Sequence, residues 1–225
     1  MAKPLFEVNM ELKNKKVVFL GDSITEGVGA SSPENTYVEL FRKGSGAEVF
    51  NFGVSGTRIA EQKSPSPNPK FDETFERRAK KMPADADVVV VFGGTNDFGH
   101  GDARFGGFWD RDNYSFYGAV HSLLRMLIEK YPSAYILFMT PLHRLSENKT
   151  VNEYGIPCHA LKDYVDAIRE VCEYYSVPVL DLYARSGMQP AIPIIKETYM
   201  PDGLHPSDAG AARIANMLLS HLRAL

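Results

Sequence analysis

The chain has 225 residues, 44% of them apolar and 24% charged, the composition of an ordinary globular protein with room for one sizeable core. A net charge of -3, with acidic and basic residues mixed along the chain, gives no electrostatic footprint for nucleic acid, and no run approaches the ~20 apolar residues of a membrane span. The opening "MAKPLFEVNMELKNKK" lacks the apolar stretch of a signal peptide, so the expectation is a soluble, cytoplasmic protein folded as a single domain over 1–225.

Taken in order, the first element is "KVVFL" at 16–20, a nearly continuous apolar run of the kind that forms a strand covered on both faces, followed at once by "GDSITEG" at 21–27. A second strand, "EVFNF" at 48–52, leads into "GVSG"; the short Pro-rich "SPSPNP" at 64–69 reads as a surface excursion and not a boundary. The third strand, "VVVVF" at 88–92, runs into "GGTND". Beyond it lies the aromatic, glycine-rich run "DFGHGDARFGGFWDRDN" at 97–113, which reads either as a packed surface loop anchored by Phe108 and Trp109 or as a wall of a binding site.

Tyr117, Val120, Leu124, Leu127 and Ile128 then recur at helical spacing before a fourth strand, "YILFMT" at 135–140, and a polar segment, "PLHRLSENKTVNEYGIP", that offers a second wall. Leu161, Val165, Ile168, Cys172 and Tyr175 mark another amphipathic helix, and "VPVLDL" at 177–182 the fifth strand. The last helix follows Ser207, with Ile214, Met217 and Leu218 on one face. The two cysteines, Cys158 and Cys172, are too far apart on a helix for a disulfide, and no Cys/His cluster suggests zinc. Strand and helix alternating in this way predict an α/β fold, a doubly wound five-stranded parallel sheet whose function gathers at the carboxyl ends of the strands.

At those ends Ser23 is the candidate nucleophile. A phosphate cradle at the same turn would need GxGxxG or GxxxxGK[ST], and neither is present, although a simpler anion-binding turn remains open. A serine needs a base, and the base needs a group to hold its tautomer. His121, His159 and His221 read as structural, whereas His100 and His143 follow strands but lack a clearly spaced carboxylate. "DGLHPSDAG" places Asp202 three residues before His205 in one tight loop, with Pro206 keeping His205 out of the helix that Ser207 caps; a plain surface turn is the competing account. Developing negative charge on a carbonyl oxygen needs preorganised donors, for which the candidates are the Ser23 N–H, the Gly53 N–H and the Asn96 amide, with a simple turn role as the alternative for Asn96.

The four blocks "GDSITEG", "GVSG", "GGTND" and "DGLHPS", in this order, resemble the SGNH hydrolases, also called the GDSL lipases/esterases, over essentially the whole chain. The resemblance implies a three-layer α/β/α, flavodoxin-like sandwich with five parallel strands. It also implies Ser23 as nucleophile, His205 as base, Asp202 as its orienting acid, and Ser23, Gly53 and Asn96 as oxyanion donors. It further implies hydrolysis of a small-molecule acyl ester with no cofactor and no metal. Because aromatic residues alternate with charges in 97–113, a short acyl group on a polar, carbohydrate-like alcohol is expected, against a lysophospholipid or thioester. Two rivals from other classes are a non-catalytic binding domain and a metal-dependent phosphoesterase using Asp22, Asp97, Asp202 and His205.

Overall fold

The computed structural model describes residues 11–225. Five apolar runs pair as an all-parallel sheet: β1 (Lys16–Gly21), β2 (Glu48–Gly53), β3 (Val88–Phe92), β4 (Tyr135–Met139) and β5 (Val179–Leu180), in the spatial order β2-β1-β3-β4-β5. The order reverses at β1, so the carboxyl ends of β1, β2 and β3 lie side by side at the switch point where ligands of such sheets bind. The expected fold class, strand count and strand positions are therefore as observed. β5 alone is much shorter than the apolar run suggests. Pro178 has no N–H to give the ladder, and Asp181 already caps the following turn by accepting from the Ala184 N–H.

The helices between the strands are α1 (Ser23–Glu26), α2 (Tyr37–Ser45), α3 (Phe75–Ala79), α4 (Thr95–His100), α5 (Phe116–Lys130) and α6 (Leu161–Tyr174), and after β5 come α7 (Leu182–Arg185), α8 (Pro193–Tyr199) and α9 (Asp208–Arg223). Because strand side chains alternate, the sheet carries two cores. Val18, Leu20, Val89, Val91, Ile136 and Phe138 pack with α3, α5 and α6 on one face. Val17, Phe19, Val88, Val90, Leu137 and Met139 pack with α2 and α9 on the other, giving the three layers. At ~1.5–3 kcal/mol for each fully buried large apolar side chain, these two cores dominate folding. They leave the loops at the strand ends free to carry chemistry. Cys158 and Cys172 are both free thiols, and among the described residues no helix is long and apolar enough to cross a membrane.

Candidate active site

At the end of β1 the chain turns sharply into α1. Asp22 caps that helix by accepting the Ile24 N–H at 3.1 Å, which makes Ser23 its first residue. Ser23 Oγ stands 2.9 Å from His205 Nε2, across 182 positions of sequence. On the other side of the ring, His205 Nδ1 meets Asp202 Oδ2 at 2.6 Å. A carboxylate accepts only, so Nδ1 carries the proton and Nε2 presents its lone pair to the serine hydroxyl. The Asp202 Oδ1 also accepts the Leu204 and His205 N–H groups at 2.8 and 2.7 Å, a side-chain turn that fixes the carboxylate and the imidazole in one loop. Burial alone would raise the Asp202 carboxyl. The hydrogen bonds from the His205 ring and from the two N–H groups outweigh it and hold the carboxyl below its ordinary value, so it stays ionised at neutral pH.

The ends of β2 and β3 supply the neighbouring polar groups. Asn96, in the first turn of α4 and 6% exposed, donates one amide hydrogen to the Thr57 carbonyl at 3.0 Å, which fixes the amide and leaves a second hydrogen to give. Gly53 does not stand as expected. Its N–H donates to Asn51 Oδ1 at 2.8 Å, and a Cβ there would overlap the Glu26 N–H of α1, so Gly53 is the close-packing point between β2 and α1. Three residues on, Gly56 adopts φ +75, a conformation natural to glycine, and its N–H has no acceptor among the described residues. Gly56 immediately precedes Thr57, which anchors Asn96, so the free N–H and the free amide hydrogen belong to one cluster. Sequence reading missed Gly56 because the GVSG block offers two glycines and the side chain that engages the first is three-dimensional information.

Beneath these loops lies Arg78, 4% exposed. Its guanidinium donates to the Gly21 carbonyl at 2.8 Å, to the Phe52 carbonyl and to Thr57 Oγ1 at 2.8 Å, tying the ends of β1 and β2 to the Gly56–Thr57 turn. A second restraint lies above. Asp208 accepts the Ser31 N–H, the Ser31 hydroxyl and the Asn35 amide at 2.8, 2.6 and 2.9 Å, which holds the loop after α1 against the His205 loop.

The remaining candidates separate cleanly. Asp97 accepts the Ile59 and Ala60 N–H groups at 3.0 and 2.9 Å, and Asp22 serves its helix. Burial pushes both carboxyls up to about 6. These two aspartates are thus engaged by backbone in separate places, and among the described residues no group of three or more His, Cys, Asp or Glu side chains is arranged to hold a metal ion. His143 does have a carboxylate partner, Glu147 at 2.8 Å four residues on in the same loop, and its ring lies 3.8 Å from that of Tyr183. His100 faces Arg58, with Nδ1 3.2 Å from Nη1. His121 donates to the Phe108 carbonyl, and His159 stacks on Phe105 at 4.1 Å.

Those last two contacts decide the role of 97–113. Phe98 is fully buried, and Phe105 packs on His159, Phe116 and Tyr164. Phe108 packs on Tyr117, His121 and Tyr174, all on α5 and α6. The charges are equally committed, Arg104 to Asp110 and Asp112, and Asp102 to the Lys63 and Ser64 N–H groups. Phe105 and Phe108 therefore bear out the packed-surface-loop reading for their part of the run, whereas Trp109, expected as a second anchor, is 77% exposed and touches Phe108 and Arg111.

A five-stranded parallel sheet thus brings a buried serine, an oriented imidazole and N–H donors together at one switch point. The sequence profile of the GDSL-like lipase/acylhydrolase family matches residues 19–213. Among solved structures, a protein from Lactobacillus plantarum is 34% identical, with TM-score 0.80 over 94% of this chain and 98% of that one. The lipase/acylhydrolase from Enterococcus faecalis is 22% identical, with TM-score 0.63 over 93% and 96%. No curated protein matches the sequence. The chain belongs to the GDSL-like lipase/acylhydrolase family, a family of hydrolases.

Proposed function

We propose that this protein is a serine esterase that works through an acyl-enzyme. Ser23 Oγ attacks the ester carbonyl while His205 Nε2 takes its proton, and the ionised Asp202 stabilises the imidazolium that results. The carbonyl oxygen, now negative, is met by the Ser23 N–H, the Gly56 N–H and the free Asn96 amide hydrogen, with Gly56 in the place first given to Gly53. The imidazolium returns its proton to the departing alcohol, and His205 then activates a water that releases the acid and frees Ser23. No step calls for a metal or cofactor.

The observation that supports this reading is the unbroken series Ser23, His205, Asp202 at 2.9 and 2.6 Å, with the imidazole tautomer fixed by the carboxylate. On the substrate, a short acyl group is the reading we keep. Three segments press on the site from above: Gly29 on His205, Leu145 on Gly203 and Phe71 on Gly56. That arrangement suits a compact acyl group. The carbohydrate-like alcohol is not kept, since Phe105 and Phe108, two of the aromatic residues that suggested it, pack against α5 and α6. The test is an alkyl fluorophosphonate: stoichiometric labelling of Ser23, lost in Ser23→Ala, with hydrolysis of p-nitrophenyl acetate exceeding that of the palmitate. Absence of labelling in the folded protein would return the chain to the binding-domain reading.

A further inference from the structure

Gly56 is not open to solvent on its α-carbon side. A Cβ there would overlap one edge of the Phe71 ring, so this ring lies against the turn whose N–H is the proposed oxyanion donor. Phe71 comes at the end of the Pro-rich excursion, and the excursion is firmly held. Arg58, 1% exposed, donates to Ser66 Oγ at 2.5 Å, to the Phe71 carbonyl at 3.2 Å and to Asp72 Oδ1 at 2.8 Å, while Asp72 also accepts the Ser66 N–H.

The other nitrogen of the same guanidinium, Nη1, faces His100 Nδ1. Arginine has only hydrogens to give, so His100 Nδ1 is an acceptor and the neutral ring carries its hydrogen on Nε2. Burial, and then the Arg58 charge, draw His100 down to about 4, which keeps it an uncharged aromatic ring at neutral pH. His100 also lies four residues after Asn96 on α4, on the same helical face. Its ring centroid is 5.3 Å from that of Phe71 and 5.8 Å from that of Tyr154, which is 49% exposed. The result is a continuous series of three rings, starting on the oxyanion turn and ending at the surface. It offers π faces throughout, an Nε2–H at its middle and a hydroxyl at its outer end.

We propose that Phe71, His100 and Tyr154 form a specificity subsite for an aromatic group of the ester, with Arg58 as the residue that positions it; this rests on the esterase reading above. An ester whose carbonyl enters the donor cluster has one substituent directed over Phe71. A flat ring there gains offset or edge contacts with the three rings that a saturated ring of similar size does not. An alkyl chain would bury area on the same rings but has no π face to receive the His100 Nε2–H.

The experiment compares esters matched in leaving-group character: benzyl acetate with cyclohexylmethyl acetate, and ethyl phenylacetate with ethyl cyclohexylacetate. For the wild type, kcat/KM should favour the aromatic member of at least one pair by about tenfold, mainly through KM. In Phe71→Leu and in Tyr154→Leu that ratio should fall toward unity; being taken within one preparation, it does not depend on how much of a variant folds. A ratio near one in the wild type, or a preference that survives both substitutions, overturns the subsite. So does an enzyme that takes a fluorophosphonate at Ser23 yet hydrolyses neither aromatic ester. Failure of Ser23 to label at all overturns the esterase reading instead.

Discussion

Gly29 lies against His205 so closely that a Cβ on Gly29 would stand 2.9 Å from the His205 Cβ and overlap the Pro206 carbonyl. Its φ of +96 is also one that an alanine resists. The Asp208 hydrogen bonds to Ser31 and Asn35 hold the loop after α1 in place, so a methyl group at position 29 should displace the imidazole loop before the loop that carries it. We expect Gly29→Ala to lower kcat on the order of 10²-fold, the cost of an ångström-scale misplacement, with a folded protein by circular dichroism. Unchanged turnover would mean that His205 is positioned from below alone.

The three-residue series itself sets an order of severity. Ser23→Ala and His205→Ala should each reduce p-nitrophenyl acetate turnover on the order of 10⁴–10⁶-fold. Asp202→Ala should retain more activity, because orienting the imidazole is a lesser task than accepting the proton. Activity in His205→Ala near that of the wild type would transfer the base to another side chain, of which His143 with its Glu147 is the one already oriented.

Asn96 and Gly53 make a contrasting pair. Asn96→Ala should lower kcat by ~10²–10³-fold with little change in KM, as for a donor used in the transition state. Gly53→Ala should act on the fold, since the added methyl meets the α1 backbone, and should appear as a lower melting temperature. A normal melting temperature combined with a pure kcat loss in Gly53→Ala would restore Gly53 as a donor.

Asp97 allows a test of linkage. Burial raises its folded carboxyl to about 6, against ~3.9 in an unfolded chain, so between those values the folded protein binds more protons and its stability falls as pH rises. In Asp97→Asn an amide NH₂ must face the Ile59 or Ala60 N–H, which should cost about 1–3 kcal/mol. The variant should also lose Asp97's share of the negative slope, so its stability should depend more positively on pH across that window than the wild type's. Urea denaturation at two pH values spanning the window measures both effects, and parallel pH profiles would show that Asp97 does not titrate there.

What could be read from the sequence, and what could not, follows the range of the interactions involved. The strands were legible because a parallel strand buried on both faces writes an unbroken apolar run, as in "VVVVF"; only β5 misled, since apolarity does not reveal that Pro178 lacks a donor. Asp202 and His205 were legible because their hydrogen bonds close within three residues. Choosing between Gly53 and Gly56 required knowing where the Asn51 side chain turns. The sequence could not choose between a packed loop and a wall for the aromatic run after Asn96 for the same reason: Phe105 and Phe108 find their partners, His159 and Tyr174, more than fifty residues away. Phe71, which lies on the oxyanion turn, sat unremarked just beyond a Pro-rich stretch.

Arg78 ties the carbonyls of Gly21 and Phe52 and the hydroxyl of Thr57 to one rigid, planar group. The gap between the serine and the donor turn is thereby gauged by the span of a guanidinium, and the mobility of the loops above has little leverage over it. Heating or mild denaturant should accordingly leave the reacting geometry intact until the sheet itself parts. Inactivation and unfolding would then share one midpoint, and a lysine at position 78, which brings a point charge in place of a planar fork, would pull the two midpoints apart.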